Sequence, residues 1–276
     1  MTRKRRAKAT TPKKLLDIVI AVMGQFELLG ECLDSIPEAV GNFEYNVICV
    51  DNASPKEEAD EFYSQREGNI FTIRNKENLG FPKACNQGAR RKSSPLIFFL
   101  NSDVILEPNA IDILVREMDN PTIGIAGMML MFPEYAGGLN HQIRPAGTIQ
   151  HIGMETDIHG NFIHSYLGWR VDHPKVLAQR DVYAVTGAAL MTRRNLWNKI
   201  GGFNEAYGLG CYEDVEFCMV VRELGYNIVV APDAKGIHYT GATAERNQIG
   251  FPLQQNKITF LQKWGSKLKW TSWDKW

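Results

Sequence analysis

Four short apolar runs, each breaking off into polar residues, constrain this chain more than any other feature of its sequence: residues 18–22, 46–50, 70–73 and 96–100. Between them, at 27–36, 56–66 and 82–91, apolar residues return with helical period. A further such segment at 108–119 opens with Pro108, a residue suited to the first turn of a helix. Strands alternating with helices pack as a parallel sheet flanked by helices. Ligands of such sheets lie beyond the carboxyl ends of the strands, so chemistry is expected in the residues that follow each run.

From Ile123 the texture changes. Short β-like pieces at 124–132 and 143–154 lead into a Gly- and His-containing stretch up to Arg180, read as an irregular excursion with binding loops. Regular structure is expected again at 182–192, with a helix at 194–200, a turn at Gly201-Gly202-Phe203, a helix at 213–224 and a strand at 226–230. No repeat and no Gly/Ser/Pro linker divides the chain, and 276 residues suffice for one core. The reading is one unit over 15–264.

Formal charge is zero, but Arg3, Lys4, Arg5, Arg6, Lys8, Lys13 and Lys14 crowd the start, leaving 24 basic against 31 acidic residues beyond them. Residues 1–14 therefore read as a basic, disordered tail, for which nucleic-acid binding is the minority use. Five cysteines without a Cys-x-x-Cys pair indicate neither a disulfide framework nor a zinc knuckle, which suits a reducing, cytoplasmic setting. Leu15 to Met23 imitates a signal peptide, but Asp17 interrupts it. No segment approaches the ~20 apolar residues of a membrane span.

Five constellations carry candidate chemistry. The apolar run ending at Leu100 delivers Asn101-Ser102-Asp103; a carboxylate held there suits Mg²⁺ or Mn²⁺, whose shell substrate phosphates complete, and it equally suits a plain strand-to-turn junction. Asp51, in Asp51-Asn52-Ala53-Ser54, accepts hydrogen bonds from a base or ribose, or caps the next helix. Asn78-Leu79-Gly80-Phe81-Pro82-Lys83 opens a helix whose free N–H groups, with Lys83, favour phosphate, capping being the alternative. Glu213-Asp214 opens an amphipathic helix behind Gly208, Gly210 and Tyr212, a flexible approach; helix-dipole stabilisation explains such acids, and so does proton abstraction from a hydroxyl. His238 is a structural histidine or a metal ligand.

In this order, the pieces resemble the family 2 glycosyltransferases of the GT-A fold, of the bacterial rhamnosyltransferase-like kind, from Asp17 to about Trp264. Val50 to Ser54 match Val-Asp-Asn-x-Ser, Asn78 to Asn86 match Asn-x-Gly-Phe-x-x-x-x-Asn, and Asn101 to Asp103 match the metal motif. Val185 to Ala188, Gly201 to Glu205, Glu213-Asp214 and Ile237-His238-Tyr239 match the later half.

The resemblance implies an α/β, Rossmann-like nucleotide-binding mixed sheet flanked by helices. Residues 15–122 would form the donor-nucleotide half, 123–264 the acceptor half with its β/loop excursion and a C-terminal helix, and 265–276 a Trp/Lys-rich tail. It implies an inverting, metal-dependent hexosyltransferase moving sugar from a UDP- or dTDP-sugar to a hydroxyl of a saccharide, lipid-linked or protein acceptor. Val22, Asp51, Asn78, Gly80, Lys83, Asn86, Asn101, Ser102, Thr186, Gly187 and Ala188 would line the donor. Asp103 and His238 would hold Mn²⁺ or Mg²⁺, and Asp214, beside Glu213, would be the base. The family's usual Thr-Tyr-Asn-like turn is Val22-Met23-Gly24 here, so only backbone contacts carry over at Val22. Neither a Gln-x-x-Arg-Trp motif nor membrane helices are present, which favours adding a single residue over building a polymer.

Between Ile258 and Trp276, Phe260, Leu261, Trp264, Leu268, Trp270, Trp273 and Trp276 mix with lysines, which suits either peripheral contact with the inner face of a membrane or a packed terminal helix. Two other classes compete. A sugar-phosphate nucleotidyltransferase would need a Gly-rich basic loop after the first strand, which 22–28 does not offer. A non-catalytic carbohydrate-binding protein would not need Asp103, Asp214 and His238 together.

Overall fold

The computed structural model describes residues 16–66, 70–133, 145–157, 161–178, 180–239 and 250–268. The basic segment 1–14 and Trp270, Trp273 and Trp276 lie outside them. The elements run β1 (Leu16–Val22), α1 (Phe26–Val40), β2 (Tyr45–Asn52), α2 (Lys56–Ser64), β3 (Ile70–Asn75), α3 (Phe81–Ala89), β4 (Leu96–Asn101), β5 (Val104–Leu106), α4 (Ala110–Glu117) and β6 (Ile123–Met131). There follow β7 (Ile149–His151), β8 (Met154–Thr156), β9 (Phe162–His164), α5 (Pro174–Leu177), β10 (Ala189–Arg193), α6 (Arg194–Ile200), α7 (Glu213–Glu223), β11 (Asn227–His238) and α8 (Leu253–Trp264).

The main sheet is ordered β3-β2-β1-β4-β10-β6-β11-β5, with β7 on β6, while β8 and β9 form a separate ribbon. β1 to β4 are mutually parallel, β10 runs against both β4 and β6, β11 is parallel to β6, and β5 is antiparallel to β11. The sheet is therefore mixed. This arrangement puts the carboxyl ends of β1, β2, β4, β6 and β11 and the amino ends of β5 and β10 on one edge.

The central strand shows why its sequence is apolar throughout rather than alternating. Ile97 and Phe99 enter one hydrophobic cluster, with Trp197, Phe203 and Phe217, while Leu96, Phe98 and Leu100 enter a second across the sheet, with Ile18, Ile20 and Leu29. Both faces of β4 are covered, so every position from Leu96 to Leu100 is hydrophobic. Phe98 and Phe99 are fully buried, and replacing either by Ala would cost about 3–5 kcal/mol.

Three expectations change. α1 continues past Ile36 through Pro37 to Val40. Within 182–192 only Ala189–Arg193 is a strand, the preceding residues making isolated bridges such as Met154 with Ala184. β11 extends well past Val230 because register shifts between Ala231 and Lys235 carry the ladder past Pro232 and Asp233. In the C-terminal stretch, Phe260 and Trp264 are core residues of α8, so the packed helix accounts for them. No helix of the described residues is long and apolar enough to cross a membrane.

Candidate active site

Asp103 stands in the turn between β4 and β5, and the pairing of Val104 with His238 brings it beside the end of β11, with Tyr239 N donating to Asp103 O over 3.0 Å. The His238 ring follows from its partners. Gln150 Nε2 donates to His238 O over 2.9 Å, which turns Gln150 Oε1 toward His238 Nδ1 at 2.6 Å. An amide oxygen only accepts, so Nδ1 carries the proton and Nε2 the lone pair. That lone pair lies 3.3 Å from Asn101 Nδ2 and 3.2 Å from Asp103 Oδ1. Asp103 Oδ1 is buried and, near as the ring is, receives no hydrogen bond.

Two electron-pair donors thus converge on one point. This is the chemistry of a divalent-cation site, and a buried orphan carboxylate oxygen is the atom such an ion would satisfy. No cluster of three His, Cys, Asp or Glu occurs among the described residues, so an ion here would draw its remaining ligands from phosphates and water.

The chain runs from this corner to Asp214 by direct contacts. Asn101 N donates to Ala188 O over 2.9 Å, and Gly187 N donates to Asp214 Oδ2 over 2.8 Å. Asp214 Oδ1 also accepts from Val215 N over 2.7 Å. Burial raises the Asp214 carboxyl above its ordinary value, against the lowering effect of these backbone donors. Glu213 is buried, its Oε2 has no hydrogen-bond partner, and burial followed by the Asp214 charge raises it well above the usual range. A Cβ on Gly187 would come within 3.1 Å of the Phe81 ring, so the lack of a side chain there makes room for Phe81.

The approach to these acids, expected to be flexible, is clamped. Cys211 and Tyr212 hold left-handed φ angles of 76° and 78°, a conformation non-glycine residues adopt only when their surroundings impose it. Buried Asn256 of α8 imposes it here, donating to Tyr207 O, Gly210 O and Cys211 O at 2.9, 2.7 and 3.1 Å. From the other side Phe81 N donates to Leu209 O over 3.1 Å. A Cβ on Gly80, at φ 82°, would fall 2.0 Å from Gly208 O. The amino end of α3 is therefore covered by this loop rather than open to a phosphate, with Lys83 exposed and Asn78 bonded to Gly80 N and Met23 Sδ.

The remaining candidates divide. Asp51 is fully buried, accepts from Ser54 N over 2.8 Å, and lies 3.2 Å from Arg74 Nε, with Oδ2 unpartnered by any hydrogen bond. Val22, paired with Asp51, and buried Ser102 share the same sheet edge, and Thr186 Oγ1 accepts from Ala188 N over 3.3 Å. Asn86 lies apart: its amide is engaged by Phe203 N, Phe203 O and Glu205 Oε1, all at 2.9 Å, joining α3 to the turn after α6. Sequence reasoning missed Arg74, Gln150 and Asn256, whose contacts arise only between distant segments.

Residues 17–198 match the family described as Glycosyl transferase family 2. The O-antigen biosynthesis protein RfbC of Myxococcus xanthus is 25% identical over 87% of this chain, which spans only 18% of that protein and 25% of another curated relative. The N-acetylglucosaminyl-diphospho-decaprenol L-rhamnosyltransferase of Mycobacterium tuberculosis is 22% identical, over 75% of this chain and 73% of its own length. GalNAc-T7, solved with UDP, GalNAc and Mn²⁺, superposes with a TM-score of 0.71 at 15% identity, covering 92% of this chain and 49% of that one; the shared fold is GT-A.

Proposed function

The chain belongs to glycosyl transferase family 2, and from that premise we propose that it is an inverting glycosyltransferase carrying a sugar from a nucleoside-diphosphate donor to an acceptor hydroxyl. The observation that carries this is the convergence, at one sheet edge, of the Asp103 and His238 donor pair with an Asp214 held through Asn101, Ala188 and Gly187. In this reading Asp103 and His238 would hold Mn²⁺ or Mg²⁺, and Gln150, at 2.6 Å from His238 Nδ1, keeps the lone pair on Nε2. When bound, the ion supplies Lewis-acid neutralisation of the departing diphosphate. Asp214 takes the proton of the acceptor hydroxyl as that oxygen attacks the anomeric carbon, and its desolvated carboxylate is a stronger base than one in water. Burial and the Asp214 charge raise Glu213 well above the usual carboxylate range, which favours its neutral form beside Asp214.

The acceptor is read as a glycan or a lipid-linked sugar. Its support is the naming of the relatives and an exposed apolar residue, Phe251, before α8 and beside Gly210. Thermal shift against a panel of UDP-, dTDP- and GDP-sugars with and without Mn²⁺ tests the donor reading, because a ligand of the folded state raises apparent stability. A Mn²⁺-dependent shift that disappears in Asp103→Ala is expected, and a shift unchanged in that variant would refute the metal assignment. Formation of a nucleotide sugar from a sugar phosphate and a nucleoside triphosphate would instead favour a nucleotidyltransferase.

A further inference from the structure

We propose that His164 is an acceptor-binding residue that donates a hydrogen bond to a sugar hydroxyl, and that His151 behind it fixes which ring nitrogen holds the proton. The proposal rests on the transferase reading and adds to it a part for the ribbon β8–β9, which that reading leaves without one. The argument starts at His151, fully buried on β7. Its Nε2 lies 3.2 Å from Gly153 N and 3.4 Å from Thr186 N. Backbone N–H groups only donate, so Nε2 bears the lone pair and the neutral ring carries its proton on Nδ1. That Nδ1 is 2.9 Å from His164 Nδ1, which must then accept. The proton of the second ring is left on Nε2, an atom with no hydrogen-bond partner among the described residues, in a residue that is partly exposed.

Position and electrostatics name the ligand. Thr186, which holds the buried end of the relay, is followed by Gly187, whose N–H binds Asp214, so the pair sits beside the proposed base. Burial pushes both rings down, His164 to about 4. An anion would call for an imidazolium, which this surrounding disfavours. A neutral N–H suits an uncharged oxygen, and on the transferase reading the uncharged oxygens to be bound near Asp214 are the hydroxyls of the acceptor sugar.

The relay is tested first in the ligand-free, full-length protein by ¹⁵N imidazole shifts near neutral pH. Protonated Nδ1 in His151 and protonated Nε2 in His164 are expected; the reverse tautomers, or a charged ring, overturn the relay. The acceptor role is tested by transfer to methyl glycosides from the nucleotide sugar giving the largest thermal shift. His164→Phe should raise the acceptor KM about tenfold, the worth of one hydrogen bond, with donor affinity unchanged, and His164→Gln, which keeps an N–H, should recover most of it. An unchanged acceptor KM in His164→Phe, or equal loss of donor affinity, removes the role. If no nucleotide sugar binds the wild type, the transferase reading and the acceptor role fall together, while the shifts still decide the relay.

Discussion

The two edges of the main sheet each bury acidic residues, and they treat them in opposite ways. At the amino edge Asp17, fully buried, is saturated: Oδ1 accepts from Asn46 Nδ2 and Ser94 Oγ, both at 2.7 Å, and Oδ2 from Ser94 N at 3.0 Å and Arg194 Nη2 at 2.7 Å. At the carboxyl edge Asp51 Oδ2, Asp103 Oδ1 and Glu213 Oε2 are buried without a hydrogen bond, and they are the only carboxylate oxygens so placed among the described residues. A buried charge left short of partners costs stability. On the proposed reading, Asp103 Oδ1 is left incomplete for a ligand, whereas Asp51 Oδ2 has Arg74 Nε 3.2 Å away.

The comparison breaks most visibly at Asp214. Asp214→Asn should lower transfer about 100- to 10,000-fold while keeping the Mn²⁺-dependent thermal shift with donor, and equal loss of both would remove it from the base role. Because burial raises this carboxyl and the reactive form is the carboxylate, kcat/KM of the wild type should fall as pH drops through that raised value. The acid limb is then expected above the ordinary carboxylate range. An acid limb within that range would show that burial does not tune Asp214.

At the satisfied edge the effect moves from activity to stability. Asp17→Ala leaves Arg194, itself mostly buried, without its counter-charge, and should cost about 3–5 kcal/mol by urea denaturation, with donor affinity of the folded protein unchanged. Asp103→Asn should do the reverse: no loss of stability in the ligand-free protein, but donor affinity in Mn²⁺ reduced on the order of 10- to 100-fold. If Asp103→Asn proved as destabilising as Asp17→Ala, the two edges would not differ in kind.

The smallest expected effect is at Glu213. Its folded-state pKa is raised, so the folded form holds the proton more tightly than the unfolded form does. The stability this confers is complete below the unfolded carboxylate range and is lost as pH rises through the folded value. Glu213→Gln should flatten that decline, making the variant about 1 kcal/mol more stable than wild type at alkaline pH and no more stable in acid. Thermal denaturation across pH measures the difference.

The satisfied and unsatisfied acids look alike in the sequence. Asp51 and Asp103 each follow an apolar run, which was enough to assign them to the carboxyl edge, because a strand buried on both faces has a readable length and direction. The helices at 194–200 and 213–224 were legible from their period for the same reason. Asn86 was not: its place in a motif suggested the donor, whereas its amide joins α3 to the turn at Phe203. The clamp on Gly208–Tyr212 was equally hidden, since Asn256 looks like an ordinary polar residue of an amphipathic helix until its position against three carbonyls is known.

Local patterning, in the end, determined the strand-and-helix alternation, the sheet edge where the candidate residues gather, and their residue types, because hydrophobic period and strand ends depend on near neighbours. Which of those side chains meet was settled only by the packing of β4 against β10 and of β5 against β11. Whether a buried carboxylate has all its hydrogen bonds, and which nitrogen of a histidine holds its proton, are properties of groups up to 177 residues apart. No local rule reaches that far.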